Sequence, residues 1–243
     1  MPKPTFFDTL IFSTFHGSNS NIFMIKAALA IFKKEVMQEM RTKYAVNTLL
    51  AFTGSSLLLI LFTLRAQELD PIPKSGLIWI VLLFAAMSGM MRSFVQETDK
   101  KTWILLRLHS AATEVYTGKL VYNFVFLLIL HILSFFFYTI MMDLSVVRPV
   151  YFWGSVFFGA AGLAAVTTLT SAMIAQADKK GALFSVLCIP LVVPLLLILT
   201  NTTTAAFLEG ADNASLNDLT ALIGYCGVTI TTGILLFDYI WDE

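Results

Sequence analysis

Six stretches of this chain are apolar over nearly the length that crosses a bilayer. A spanning helix needs about 20 largely apolar residues, because the hydrocarbon core is roughly 30 Å thick and each residue advances about 1.5 Å. The stretches are 46–64, 75–91, 120–142, 150–174, 182–200 and 219–240. The second is short, and the fourth is long enough to tilt. Lipid offers no hydrogen bonds to a bare backbone, so each must be a helix. Of the 243 residues, 57% are hydrophobic and 13% charged, too little charge to clothe a water-facing domain. The expected fold class is therefore an all-α membrane protein with six transmembrane helices.

The basic residues orient these helices. With the N-terminus inside, the inner segments hold Lys3, Lys26, Lys33, Lys34, Arg41 and Lys43, then Arg92, Lys100, Lys101, Arg107 and Lys119, then Lys179 and Lys180. Only Arg65, Lys74 and Arg148, of 16 Lys and Arg, fall outside. That asymmetry predicts cytoplasmic N- and C-termini. Leaving out one span would invert half the molecule and destroy the bias. Tyr44, Tyr151, Trp153, Tyr239 and Trp241 sit at span ends, where an aromatic ring can reach the headgroups. A net charge of zero gives no reason to expect nucleic acid.

Two further pieces do not span. Residues 22–42 read as an amphipathic helix capped by Asn21, with Ile25, Leu29, Phe32, Val36 and Met40 forming one apolar stripe. Lys26, Lys33, Lys34, Gln38 and Arg41 lie elsewhere on its wheel, which suits a helix lying in the inner interface. The inner loop 92–119 also reads as helical, with Trp103, Leu106 and Ser110 on one face. Its length suggests a docking surface for a soluble partner. Residues 1–21, where Asp8 and His16 break up the apolar patches, read as a flexible tail without a cleavable leader pattern. Residues 22–243 then form a single transmembrane domain.

Small residues recur four apart at Ala85 and Gly89, at Ser155 and Gly159, and at Ala161 and Ala165. Such pairs let helix backbones approach, within one bundle or between two copies. Pro190 and Pro194 should kink the fifth span. The outer loop 201–218 is acidic, and its two Asn-x-Ser/Thr matches (at Asn201 and Asn213) are expected by chance in so Thr-rich a stretch. Cys188 and Cys226 match no metal or disulfide pattern and read as small buried hydrophobes.

Catalytic chemistry is sparse. The sequence holds no H-E-x-x-H, no G-x-S-x-G and no cluster of carboxylates within a span. Gly118-Lys119-Leu120 resembles the end of a phosphate-binding loop but lacks the upstream glycine and the following Ser or Thr, so ATP is not expected on this chain. His131 lies inside the third span, where its alternatives are a haem contact or a neutral imidazole bonded within the bundle. Asp238 sits near the inner end of the sixth span, and Glu114 is expected to be solvated at the inner surface. One intramembrane ionisable group is too few for an ion-coupled path. A bundle with an interfacial helix, a structured inner loop and no energy source of its own suits a permease subunit driven by a separate ATPase, and not an enzyme.

Three stretches resemble the CcmB family, the membrane permease subunits of the cytochrome c maturation system. Phe32-Lys33-Lys34-Glu35-Val36-Met37-Gln38-Glu39-Met40-Arg41 is similar to the family's amphipathic opening. Arg92-Ser93-Phe94-Val95-Gln96-Glu97 is similar to its R-S-F-x-x-E run, and Tyr116-Thr117-Gly118-Lys119 to its Y-x-G-K entry to the third span. Between the last two, the family's G-T-L-E and L-L-L-S-P are replaced by Lys101-Thr102-Trp103-Ile104 and Leu106-Arg107-Leu108-His109-Ser110. The resemblance spans roughly residues 25–240.

It implies a six-helix ABC-2 permease fold paired as a homodimer in the inner membrane. The implied partners are a CcmA-like ATPase that carries the ATP, CcmC-like and CcmD-like membrane proteins, and a haem chaperone. The implied role is haem export, or ATP-driven release of the haem-loaded chaperone, with haem as a transported or transiently contacted ligand. Arg92, Phe94, Glu97, Trp103 and Lys119 become the expected ATPase-coupling residues. Lys33, Glu35, Glu39 and Arg41 mark the interfacial helix. The alternative is an ABC-2 permease exporting lipid, polysaccharide or drug.

Overall fold

The computed structural model describes the backbone of residues 6–64, 69–90, 94, 97, 110–175, 180–208 and 213–242, and the side chains of these residues from 24 onward except at 64, 180–187, 213–215, 240 and 242. Seven long helices make up most of these residues. They are α1 (Phe6–Thr42), α2 (Tyr44–Leu64), α3 (Pro71–Met90), α4 (Ala112–Met141), α5 (Pro149–Ile174), α6 (Lys180–Phe207) and α7 (Asn213–Asp242). The last six are each long and apolar enough to cross a membrane. All six expected spans are present.

Boundaries move where local hydrogen bonds extend a helix. The third span begins at Ala112, so Lys119 belongs to the helix and not to a loop. The Glu114 carboxylate reaches back to accept from the Ala111 N–H at 3.0 Å, closing the first turn. Glu114 is consequently buried, against the expectation that it is solvated. α6 runs through Pro190 and Pro194 to Phe207, past the expected end at 200. There the Thr202 and Thr204 hydroxyls donate to the Ile198 and Thr200 carbonyls, holding the polar run helical. The acceptor-like Asn201-Thr202-Thr203 thus lies on a helix, with Thr203 buried. α1 starts at Phe6, so most of the expected flexible tail is helical. Propagating a helix already nucleated downstream requires only one hydrogen bond per added residue. Arg92, Trp103 and the acidic Glu209 and Asp212 lie outside the described residues.

α5 is the hub of the bundle, in contact with α3, α4, α6 and α7. Its C-terminal half is almost wholly buried. Close approach requires its glycines. A Cβ on Gly159 would lie 2.2 Å from the Trp79 ring, and one on Gly162 would lie 2.8 Å from Leu195. On α3, Gly89 meets Leu49 in the same way. Of the two readings of the small-residue pairs, packing within one chain accounts for Gly89 and Gly159.

Polar groups inside the bundle pair across helices. Trp79 Nε1 donates to Thr203 Oγ1 at 2.8 Å, joining α3 to α6. Asn123 Nδ2 donates to Thr168 Oγ1 at 2.8 Å, joining α4 to α5. Each such bond contributes about 0.6 kcal/mol. At the end opposite the basic segments, Lys74 is buried and donates to the Met142 carbonyl at 3.3 Å, while Tyr138 donates to the Lys74 carbonyl at 2.8 Å. Large apolar side chains such as Leu59, Phe62, Ile129, Phe136, Val228 and Leu235 point outward, a surface that suits lipid.

α1 turns an unexpected face inward. The stripe residues Ile25, Leu29 and Met40 stay exposed, while Ile31 and Glu35 are buried against α4. Apolar side chains lose nothing by facing lipid, whereas a carboxylate there requires a partner inside the protein.

Candidate functional site

Four charges meet where α1 crosses α4. Lys34 and Glu35 come from α1, Lys119 from α4, and Glu97 from a helical position beyond α3. Lys119 has no solvent exposure. Its Nζ lies 2.8 Å from Glu35 Oε1 and 3.2 Å from Glu97 Oε1. It also sits 4.8 Å from the centre of the Phe94 ring, within cation–π range. Lys34 Nζ lies 3.1 Å from Glu35 Oε1 and donates to Glu97 Oε1. Two cations and two carboxylates thus neutralise one another in a largely dry setting.

Neighbouring contacts hold this arrangement. Gly118 lets α1 come close, because a Cβ there would stand 2.8 Å from the Ala28 carbonyl oxygen and from Ile31 Cβ. The Phe94 N–H donates to Ser171 Oγ at 3.2 Å, which ties the segment to α5. Phe94 and Tyr116 both pack on Phe237 of α7, at centroid distances of 5.1 and 5.3 Å. Phe237 in turn packs on Trp241 at 5.4 Å. The cluster is therefore clamped between α1, α4, α5 and α7.

Burial alone would raise the Glu35 pKa, but Lys119 and then Lys34 outweigh it and hold the carboxyl below its usual value of 4.5. Burial alone would lower the Lys34 pKa, but Glu35 and Glu97 outweigh it and hold the ammonium above 10.5. A depressed carboxylate stabilises above its unfolded pKa and loses that contribution as pH falls through its folded value; a raised lysine does the reverse at high pH. Thermal unfolding in detergent should therefore be flat in pH through neutrality. It should weaken as pH falls below about 4.5 and as it rises past about 10.5. Glu35→Gln should blunt the acid limb, and an unchanged acid limb in that variant would assign the effect to other carboxylates.

Of the expected coupling residues, Phe94, Glu97 and Lys119 converge here, and all three are buried. Glu35 joins them. Lys33 and Arg41 are exposed on α1, away from the cluster. Glu39 does different work: its Oε1 accepts from the Val46 N–H at 2.9 Å and so caps the first turn of α2. Lys34 was legible only as one of several basic residues on the wheel, and its tie to Glu97, 63 positions away, had no sequence signal. His131 is fully buried. Its Nδ1 lies 2.6 Å from the Leu127 carbonyl, so that nitrogen carries the proton and donates, and its ring packs on Trp79 at 5.5 Å. Cys188 and Cys226 are buried free thiols, as expected.

The fold and the site together define a multi-pass membrane protein of six spans, with a preceding amphipathic helix locked to the bundle by buried charge. The family model described as CcmB protein matches residues 26–237, from within α1 to within α7. This chain belongs to the CcmB family. No curated protein matches it.

Proposed function

We propose that this chain is the permease subunit of a haem-exporter-type ABC transporter in cytochrome c biogenesis. The observation that supports this most is the family match over residues 26–237. The three stretches that carried the resemblance also meet in space, since Lys34 and Glu35, Glu97, and Lys119 each come from a different one.

The physical content of the proposal is mechanical. A separate CcmA-like ATPase pushes on the segment between α3 and α4, residues 91–111. Phe94 and Glu97 carry the push into the bundle through Lys119 and pass it to α1 through Glu35. A buried ion cluster adds little net stability over apolar residues of the same volume, but it resists separation of its members and so fixes their register. That suits a joint that must move as one piece. On this reading Arg92 is a docking residue for the ATPase, and Glu97 transmits the push without touching it. The chain pairs as a homodimer in the inner membrane, with both ends in the cytoplasm.

The test is affinity purification of the full chain in mild detergent, with partner identification, ATPase activity and an absorbance scan for haem. An ATPase and haem-handling membrane proteins are the expected partners. Arg92→Glu should weaken ATPase association. Glu97→Gln should keep the ATPase bound but lower cytochrome c maturation at least tenfold. A chain that purifies without any ATPase, or Glu97→Gln with full maturation, would overturn the coupling role. Copurification of lipid-linked sugar in place of haem would favour export of another substrate.

A further inference from the structure

The apolar stripe of α1 that the bundle leaves uncovered does not all face outward. Phe32, Val36 and Met40 line one wall of a recess of about 610 Å³. Val46 of α2 and Tyr122, Val125, Phe126 and Ile129 of α4 contribute to the other walls. The recess lies at the end of the bundle that carries the basic segments, and the exposed apolar surface of α4 continues from it at Ile129. Its lining is almost wholly apolar, and its charged groups are Glu39 and Lys43.

These two charges are not equivalent. Glu39 is turned onto the first turn of α2, where its carboxylate accepts from the Val46 N–H. Lys43 is exposed and has no ion pair with any described residue. Its backbone is at φ 50°, the left-handed region that favours glycine, at the junction of α1 and α2. A lysine therefore occupies a position where glycine is conformationally easier, which motivates a role for its charge. A cationic side chain beside an apolar slot between helices matches a phospholipid, with an acyl chain in the slot and an anionic headgroup at the cation.

We propose that this recess is a binding site for an anionic phospholipid, with one acyl chain between α1, α2 and α4 and its phosphate paired with Lys43. The lipid would complete the packing of α1 against the bundle and set the depth of that helix in the interface.

The experiment reconstitutes the full chain in nanodiscs containing equal phosphatidylglycerol and phosphatidylcholine, then releases it and counts retained lipids by native mass spectrometry. Wild type should retain phosphatidylglycerol over phosphatidylcholine. Lys43→Gly should lower that retention about fivefold, the effect of one cation at a lipid surface. In lipid-free detergent the same variant should not unfold at a lower temperature, because glycine relieves the backbone at that position. Val125→Trp, which fills the slot from α4, should lower retention of both lipids. If Val125→Trp misfolds, Lys43→Gly alone decides. Equal retention of both lipids by wild type, or undiminished phosphatidylglycerol on Lys43→Gly, would overturn the proposal. So would a second copy or a partner helix crosslinking through Ile129 in place of lipid.

Discussion

Lys119→Met is expected to destabilise the bundle by about 3–5 kcal/mol, the range for breaking a buried ion pair from one side. Met keeps much of the volume but leaves Glu35 and Glu97 facing one another with Lys34 alone between them. Lys119 has no exposure and stands 2.8 and 3.2 Å from those carboxylates, so solvent cannot replace it. Glu35→Gln alone should also destabilise, because it removes the nearest counter-charge of Lys119. The double variant Glu35→Gln with Lys119→Met should lose less than the sum, since Lys34 and Glu97 remain as a balanced pair. Thermal unfolding of the four proteins in one detergent gives the coupling directly. Strictly additive losses would show that the four charges do not act as a unit.

The second large effect is expected at Gly118. Gly118→Ala places a methyl 2.8 Å from the Ala28 carbonyl oxygen, a backbone atom that cannot rotate away. α1 must then back off α4, at about 1–3 kcal/mol for overpacking. The displacement also opens the Lys119–Glu35 contact one residue along, so maturation of cytochrome c should fall along with stability. Gly54→Ala is the control. A Cβ there meets nothing within 4 Å, and alanine is the better helix former, so that variant should be neutral or gain up to about 1 kcal/mol. Equal unfolding temperatures for the two variants would refute the close-approach account.

The spans and their rough limits were legible because the bilayer constraint is local. Length, apolar content and the placement of Lys and Arg can be read residue by residue, and all six spans follow from them. The errors fell where local reading meets tertiary partners. Glu114 looked solvated because an acidic residue at a span edge usually is, yet it closes the first turn of α4 and is buried with it. The helical Thr202–Thr204 run looked like loop because its hydroxyls read as polar surface. Hydroxyls that bond back to carbonyls one turn earlier present little polarity to a bundle.

The site was legible only in pieces. Glu35, Phe94, Glu97 and Lys119 were each singled out, but as separate marks on an interfacial helix and a docking loop. Their meeting depends on α1 turning its charged side toward α4, which a wheel diagram cannot foresee. A wheel ranks faces by polarity and assumes that the apolar face is the buried one. At a membrane edge that assumption reverses, because lipid accepts the apolar side and protein must take the charge. The sequence by itself determined a helical bundle of six spans, since span length and apolar content follow from the solvent. Only the tertiary structure decided that α1 is riveted to the bundle by a neutral group of four charges, three of them buried, because pairing between residues 63 and 84 positions apart is a property of packing.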